Sequence, residues 1–495
     1  MARVPRNLPF PVILMGIGAA AMYLPAGHAV LYGQHAVARP FFYGGTIFLT
    51  LTAMVGLATA NRWGAGTRGR HLGGLLIAWL LLPAMLALPY AEALPGSSYF
   101  DAWFEMVSAF TTTGATVQAL PEALPPSLHL WRALVGWFGG FFTLAAAMAI
   151  LAPLNLGGME VLADAPAGAR RRDAPGDRLV RQALGVLPVY AGLTLALWIL
   201  LLAAGERGMV AVSLAMGTLS TSGISPLSDL GATGSGRSGE ALMALFLVFA
   251  LSRRLLPGST VIRRDRPIWT DPELRLGLGV ILAMTAVLVG RTWVAPGAAG
   301  SVPDLGAAAW GTLFTTASML TSTGYVSADW PAAHSWSGID EPGLIFLGLA
   351  MVGGGVATTA GGVKLLRVYA LIRQGEREVE RLVHPSSVGG AGAEARRLRR
   401  QGARVAWIFF LLFAMAIGLV TALLTLTGLG FEPSLVLAIA ALANNGPIAG
   451  FAAETPIAYG ALPEAAKAVL ALGMVLGRME ILAALALLNP GAWRR

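Results

Sequence analysis

The chain has no cysteine in its 495 residues, which removes a disulfide framework and a thiolate metal site from consideration. Charge is scarce as well: 12% of residues are charged, against 56% hydrophobic residues and a mean hydropathy of +0.67. A soluble globule cannot cover its surface from that composition, so the chain is a membrane protein. The six histidines, His28, His35, His71, His129, His334 and His384, are scattered. No HExxH or comparable pair offers a metal site or a base, and intramembrane enzyme chemistry is disfavoured on that ground. There is also no Rossmann-type glycine loop, so nothing in the chain reads as a nucleotide site.

What is present is a series of apolar runs. Ten are long enough to cross about 30 Å of hydrocarbon. They lie at 8–31, 41–60, 72–94, 130–154, 179–204, 240–256, 274–295, 342–370, 405–428 and 465–488. The first follows Arg3 and Arg6 as a signal peptide would, but its length and the spans downstream favour a retained helix. The net charge of +9 suggests nucleic acid only if its placement is ignored. Arg3, Arg6, Arg62, Arg68, Arg70, Arg170 to Arg172, Arg178, Arg181, Arg253, Arg254, Arg263, Arg264, Arg266, Arg275, the segment 364–404, Arg494 and Arg495 all fall on one side. By the positive-inside rule that side is the cytoplasm, both termini included. The opposite loops carry Glu92, Asp101, Glu122, Asp229, Asp304, Asp329, Asp340, Glu432 and Glu454. These acids either solvate the loops or form a negative vestibule that concentrates cations.

Four glycine signatures punctuate the apolar runs: Thr111-Thr112-Thr113-Gly114, Ser220-Thr221-Ser222-Gly223, Thr321-Ser322-Thr323-Gly324 and Ala443-Asn444-Asn445-Gly446. Each ends a segment too short to span a bilayer, at 99–110, 209–219, 305–320 and 431–443, and each segment lies between two longer runs. The pattern predicts an all-α membrane protein of four helix, re-entrant loop, helix repeats. Its expected units are an N-terminal helix pair at 1–70 and repeats at 71–160, 161–262, 263–400 and 401–495. Irregular backbone at membrane depth is tolerated only around a protein-lined or watery pathway, so four breaks imply one pseudo-fourfold pore. A short helix would aim its negative C-terminal end inward, and the extended residues after it would turn carbonyls toward a dehydrated cation. Glycine permits the positive φ that this geometry asks for. The hydroxyls of Thr112, Thr113, Thr221, Ser222, Ser322 and Thr323 coordinate or brace, and the lack of a carboxylate suits a monovalent ion better than calcium or magnesium. Small residues also occur where membrane helices pack closely, but packing alone does not require one position to recur four times.

Two further features stand in the second half. Gly353, Gly354, Gly355, Gly361 and Gly362 would break a helix in mid-membrane, since each costs about 1 kcal/mol relative to alanine. A flexible plug is expected, with close helix packing as the alternative. Arg478 lies among Leu472, Val475, Leu476, Ile481 and Leu482, where a charge is expensive unless it faces water or a partner. It either faces the pore, pairs with Glu480 or snorkels to the surface. Lys364 either assists gating or anchors the interface.

These residues resemble the Trk/Ktr/HKT superfamily of potassium transporters, and most closely its bacterial Trk membrane subunit. The resemblance rests on Phe104-Glu105-Met106 with the TTTGAT run at 111–116, on Trp137-Phe138-Gly139-Gly140, on the run 353–367 continuing to Pro385, and on Gly477-Arg478-Met479-Glu480. It implies a potassium pore with one filter glycine per repeat, Gly114, Gly223, Gly324 and Gly446, flanked by Thr112, Thr113, Thr221, Ser222, Ser322, Thr323, Asn444 and Asn445. It also implies a gate made of the 353–364 loop, with Lys364 and Arg478. In plant members a serine at the first of these glycine positions accompanies sodium preference, so Gly114 points to potassium. The resemblance further implies a homodimer in the bacterial cytoplasmic membrane that works with a cytosolic ring of RCK-type nucleotide-binding subunits. Any nucleotide would then act through that partner, and this chain would need no cofactor beyond the K+ it carries. The second repeat departs from the family pattern at 249–255, which touches the strictness of selectivity and the dimer packing. A monovalent cation transporter of weak K+/Na+ discrimination and a cation-coupled symporter of a small solute are the alternatives; a secondary transporter would show inverted halves and two broken helices.

Overall fold

The computed structural model describes residues 9–59, 68–151, 175–255, 267–292, 305–331, 343–384 and 402–481. Residues 385–401 of the basic segment 364–404 and most of the other basic loop residues lie outside them. Among the described residues there is helix and no strand. An N-terminal hairpin is formed by α1 (Phe10–Ala21), α2 (Tyr23–Leu31) and α3 (His35–Thr59). The first repeat follows as α4 (Arg68–Ala93), α5 (Tyr99–Phe110) and α6 (Pro126–Ala146), and the second as α7 (Pro175–Ala203), α8 (Gly208–Ser220) and α9 (Gly236–Leu247). The third comprises α10 (Pro272–Thr292), α11 (Leu305–Leu320), α12 (Gly343–Val352) and α13 (Leu365–Val383). The fourth comprises α14 (Ala403–Leu426), α15 (Phe431–Leu442) and α16 (Glu464–Met479).

Among the described residues, seven helices are long and apolar enough to cross a membrane: Phe10–Leu31, His35–Thr59, Gly73–Ala93, Pro126–Ala149, Leu179–Ala203, Pro272–Arg291 and Ala403–Leu426. The other three expected spans are shorter as helices. α9 stops at Leu247 and passes into 3-10 turns at Val248–Ala250 and Arg253–Leu255. α12 stops at Val352, ahead of the glycine-rich segment. α16 runs over Glu464–Met479, and residues beyond 481 are not described.

The short helices α5, α8, α11 and α15 fall where the sequence places the re-entrant segments. The closing helix of each repeat packs on the short helix of the next: α6 on α8, α9 on α11, α12 on α15, and α16 back on α5. The last contact closes a cycle. In lipid, association relies on packing rather than on the hydrophobic effect, so small residues mark the contacts. At Gly139 of α6 a β-carbon would lie 1.9 Å from Phe110 O, and at Gly140 it would lie 2.8 Å from Ser220 Cβ. One helix therefore touches the ends of two short helices at once, and the aromatic cluster of Trp79, Phe110 and Phe142 fills the space behind them. The hairpin α1–α3 docks on this first repeat through Phe41 against Trp131 and a hydrogen bond shared by His28 Nδ1 and Ser127 Oγ.

Three acids outside the basic loops act as links between elements. Asp101 accepts from Lys467 Nζ at 2.6 Å, joining α5 to α16, and Asp329 takes both ends of the Arg237 guanidinium. Glu122 of the first repeat accepts from the backbone and side chain of Ser228 in the second. Those bonds hold its carboxyl below the usual carboxylate range.

Candidate functional site

All four short helices end in the same way. The residue two before each signature glycine is left-handed: Thr112 at φ +52°, Thr221 at +51°, Ser322 at +56° and Asn444 at +52°. The hydrogen bonds Thr113 N to Ser108 O and Thr112 N to Ala109 O form a Schellman motif on α5. The third and fourth signatures repeat the pair, with Thr323 N to Ser318 O and Ser322 N to Met319 O, then Asn445 N to Ala440 O and Asn444 N to Ala441 O. The second has Ser222 N to Gly217 O and Thr221 N to Thr218 O. Such caps normally carry glycine, and a residue with a side chain there costs roughly 1–2 kcal/mol. Four equal outliers at equivalent positions show that the four loops share one strained backbone geometry, which helix packing alone does not require.

The signature glycines then bring the loops together in a ring. A β-carbon at Gly114 would lie 1.9 Å from Ser222 O; one at Gly223 would lie 2.0 Å from Thr323 O, and one at Gly324 2.5 Å from Asn445 Oδ1. The ring closes where Gly446 N donates to Thr113 O at 2.6 Å and Asn444 Nδ2 donates to Thr113 Oγ1 at 3.0 Å. Each loop thus touches the next, and the fourth touches the first. Positive φ is found at Gly114, Gly223 and Gly324, but Gly446 has φ −66°. The expectation of positive φ fails at that fourth position, where close approach excludes a side chain instead: a β-carbon would sit 2.3 Å from Ala115 N. Pro447, the next residue, reaches within 3.5 Å of the β-positions of Gly114, Gly223 and Gly324.

The hydroxyls brace the ring. Thr111 and Thr113 share a hydrogen bond at 2.8 Å, Thr321 and Thr323 share one at 3.0 Å, and Ser220 donates to Ser222 at 2.9 Å. The same i, i+2 pair recurs in three repeats, and Asn444 and Asn445 replace it in the fourth. The Oδ1 atoms of both asparagines are buried with no hydrogen-bond partner among the described residues. Behind the ring, buried Glu105 accepts from Val117 N at 2.9 Å and from Thr116, and it pairs with Arg132 at 2.6 Å. Glu240 holds the third loop from the neighbouring repeat, accepting from Ser327 Oγ, Ala328 N and Trp310 Nε1. Tyr325 donates to Ile224 O of the second loop, and Tyr459 donates to Gly446 O of the fourth.

Beneath the ring runs the segment 353–364, irregular as its glycines require. It reaches the undersides of the second, third and fourth signatures: Thr359 Oγ1 donates to Leu219 O, Gly361 N donates to Ser322 Oγ at 2.7 Å, and a β-carbon on Gly361 would lie 1.9 Å from Ala443 O. Arg478 connects it to the first. Its Nε donates to Thr111 O at 2.8 Å, its Nη1 to Thr359 O at 2.6 Å, and its Nη2 to Thr112 Oγ1. The arginine is buried between ring and segment. Glu480, which sequence reasoning offered as its partner, instead pairs with Arg367 at 2.5 Å, and the Arg367 guanidinium also stacks on Phe409. Lys364 donates to Ala360 O within the segment.

Residues outside the expected site anchor the segment. The unwound end of α9 leaves Ala250 O to accept from Gly355 N at 2.9 Å and from Thr358 Oγ1 at 3.1 Å. Glu273, in the first turn of α10, accepts from Val356 N at 2.7 Å, and Asp271 accepts from Ser252 Oγ. The stretch in which the second repeat departs from the family pattern is therefore the stretch that holds this segment. Two acids at the mouth of an apolar helix were the available signal for Glu273 and Asp271.

Comparison with known proteins agrees with this fold. The chain is 30% identical to the Trk system potassium uptake protein TrkH of Vibrio parahaemolyticus, over 97% of this chain and 98% of that protein. The chain belongs to the TrkH family. The family's own description, cation transport protein, matches residues 247–489, which hold the third and fourth signatures, the 353–364 segment and Arg478. The TrkH protein of Salmonella typhimurium is 28% identical over 97% of this chain and 98% of its own length. The Halomonas elongata protein TrkI is 32% identical over 85% and 83% respectively. The crystal structure of the potassium transporter TrkH from Vibrio parahaemolyticus superimposes with a TM-score of 0.80 at 26% identity, over 100% of both chains. A TrkH-family chain with seven long apolar helices among its described residues is a multi-pass membrane transporter.

Proposed function

We propose that this chain is the ion-conducting membrane subunit of a bacterial potassium uptake system. K+ passes along the axis of the ring formed by Thr112 to Gly114, Thr221 to Gly223, Ser322 to Gly324 and Asn444 to Gly446. The segment 353–364, with Lys364 and Arg478, holds the path shut from below. The reading is carried by the closure of the four loops, fourth onto first, through the Gly446 to Thr113 hydrogen bond. Its oxygens are carbonyls, hydroxyls and amides, with no carboxylate in the ring, a donor set that suits a weakly held monovalent ion. The unpartnered Asn445 Oδ1, beside the β-position of Gly324, fits a cation too.

Arg478 supplies the barrier. It places a cation below the ring and spends its donors on Thr111, Thr112 and Thr359, so opening must withdraw the segment and break these bonds together. The force for that withdrawal enters through α13, which continues directly from the segment and presents Ile372, Val379, Leu382 and Val383 outward between Arg373, Arg377 and Arg381. We assign this face to a cytosolic RCK-type regulatory subunit, with nucleotide acting there and no cofactor in this chain. The protein then sits in the cytoplasmic membrane as a homodimer with both termini in the cytoplasm. Purified chain in liposomes tests the proposal: K+ and Rb+ flux should exceed Na+ flux. Absence of monovalent cation flux from folded protein refutes it. Equal K+ and Na+ flux selects the weakly discriminating reading, which the conformational departure of Gly446 favours.

A further inference from the structure

The hairpin α1–α3 takes no part in the ring, yet it carries a groove of about 610 Å³ at its outer end, between α2 and α3. Tyr23, Gly27, His35, Arg39, Phe42 and Tyr43 line it. Its flanks are apolar and open, with Leu31 85%, Tyr43 61% and Phe42 52% exposed, as helix faces in contact with lipid are. Arg39 is the exception. It lies one turn into α3, about 6 Å below the helix start at His35. It has no ion pair or hydrogen bond among the described residues, and no acidic side chain lines the groove. A guanidinium at the edge of the hydrocarbon needs an anion or water, and the anion available at that depth is a lipid phosphate.

We infer that this groove binds one anionic phospholipid, with its phosphate on Arg39 and His35 and an acyl chain along the floor at Gly27. Three features fit that occupant. The volume lies within the range of small-molecule sites, roughly 300–1,000 Å³. The floor is unobstructed, since a β-carbon on Gly27 would meet nothing within 4 Å. The walls are rigid: Tyr23 is fixed by a 2.9 Å hydrogen bond with Thr46 and by edge contact with Phe42, whose ring also meets Tyr43. Tyrosines at this level are the usual interfacial anchors, here arranged around a cavity. The hairpin packs on α4 and α6, so a lipid that tightens it would stabilise the first repeat. The inference does not depend on which ion the ring conducts.

Native mass spectrometry of the full chain, titrated with phosphatidylglycerol, tests it. The wild type should retain phosphatidylglycerol in preference to phosphatidylcholine. Arg39→Gln should lower that retention at least tenfold and abolish the headgroup preference. Gly27→Leu fills the floor without displacing protein and should lower retention of both lipids, whereas Gly192→Leu, on an equally open face of α7, should change nothing. Unchanged binding in Arg39→Gln and Gly27→Leu overturns the inference. So does displacement of phosphatidylglycerol by inorganic phosphate at equal concentration, which would mean an anion site with no part for the acyl chain. A dimer that dissociates on Gly27→Leu with no lipid bound overturns it as well, by placing a second copy in the groove.

Discussion

Replacing Gly114 by serine perturbs the ring at one atom. At this glycine an added β-carbon would lie 1.9 Å from Ser222 O and 3.1 Å from Ser222 C, both backbone atoms of the adjoining loop. An ordinary C···O contact is about 3.3 Å or more, so the first two loops must part by more than an ångström. The backbone at φ +75° adds its own penalty, roughly 1–2 kcal/mol for a residue with a side chain. Relaxation has one route, because Gly139 presses on the end of α5 and Glu105 holds the exit at Val117. The loop therefore moves against Ser222, and the Ser222 carbonyl of the adjoining loop turns from its place in the ring. If the strain is relieved at the expense of K+ coordination, about 1.4 kcal/mol of it corresponds to a tenfold change in preference. We expect the K+/Na+ permeability ratio of Gly114→Ser to fall by about that factor or more, measured from reversal potentials in planar bilayers or from paired fluxes in proteoliposomes. Gly192→Ser, with nothing within 4 Å of its β-position, is the control and should leave the ratio alone. An unchanged ratio in folded, monodisperse Gly114→Ser protein would remove Gly114 from the selective path.

Further outcomes follow from the same contacts. Arg132→Leu leaves Glu105 buried and unpaired, which should destabilise the protein by about 3–5 kcal/mol, while Glu105→Leu combined with Arg132→Leu should cost less than either single change; thermal unfolding in detergent measures both, and an additive double variant contradicts the pairing. Arg478→Ala removes three charge-assisted hydrogen bonds, each worth roughly 1.5–3 kcal/mol, so basal K+ flux should rise at least tenfold. Flux at the wild-type level would mean that Arg478 does not hold the closed state. Glu273→Ala frees Val356 N and should also raise basal flux, by a smaller factor, because the Ala250 anchors remain; reduced flux would assign Glu273 to the open state instead.

Much of this architecture is legible in the sequence because its signals are local. Apolar runs mark spans, and a short segment ending in a glycine signature marks a re-entrant helix within a residue or two of its true end, as at Phe110 and Leu320. Arg478 stands out as a charge in an apolar helix for the same reason. What the sequence conceals is pairing across long stretches of chain. Arg478 bonds to residues more than one hundred positions away, and Glu480 turns to Arg367 rather than to its neighbour. Sequence spacing offered the near partner only as one alternative to a pore-facing arginine, and it gave no sign of the distant carbonyls and hydroxyl that Arg478 bonds. Gly446 shows a second limit, since one residue type meets two needs, positive φ in three loops and close approach in the fourth. The departure of the second repeat at 249–255 bears in sequence on selectivity and dimer packing; the hydrogen bonds from Gly355 N and Thr358 Oγ1 to Ala250 O show that it also holds the segment beneath the ring.

We propose above that the four signature loops enclose a single path for a monovalent cation. Crystals grown in rubidium, measured at its absorption edge, test it directly. Anomalous density should lie on the axis of the ring, bounded by Thr112 to Gly114, Thr221 to Gly223, Ser322 to Gly324 and Asn444 to Gly446, and should vanish when sodium replaces rubidium. An ordered ring with no anomalous density on its axis, or with density only in another cavity, would contradict the account.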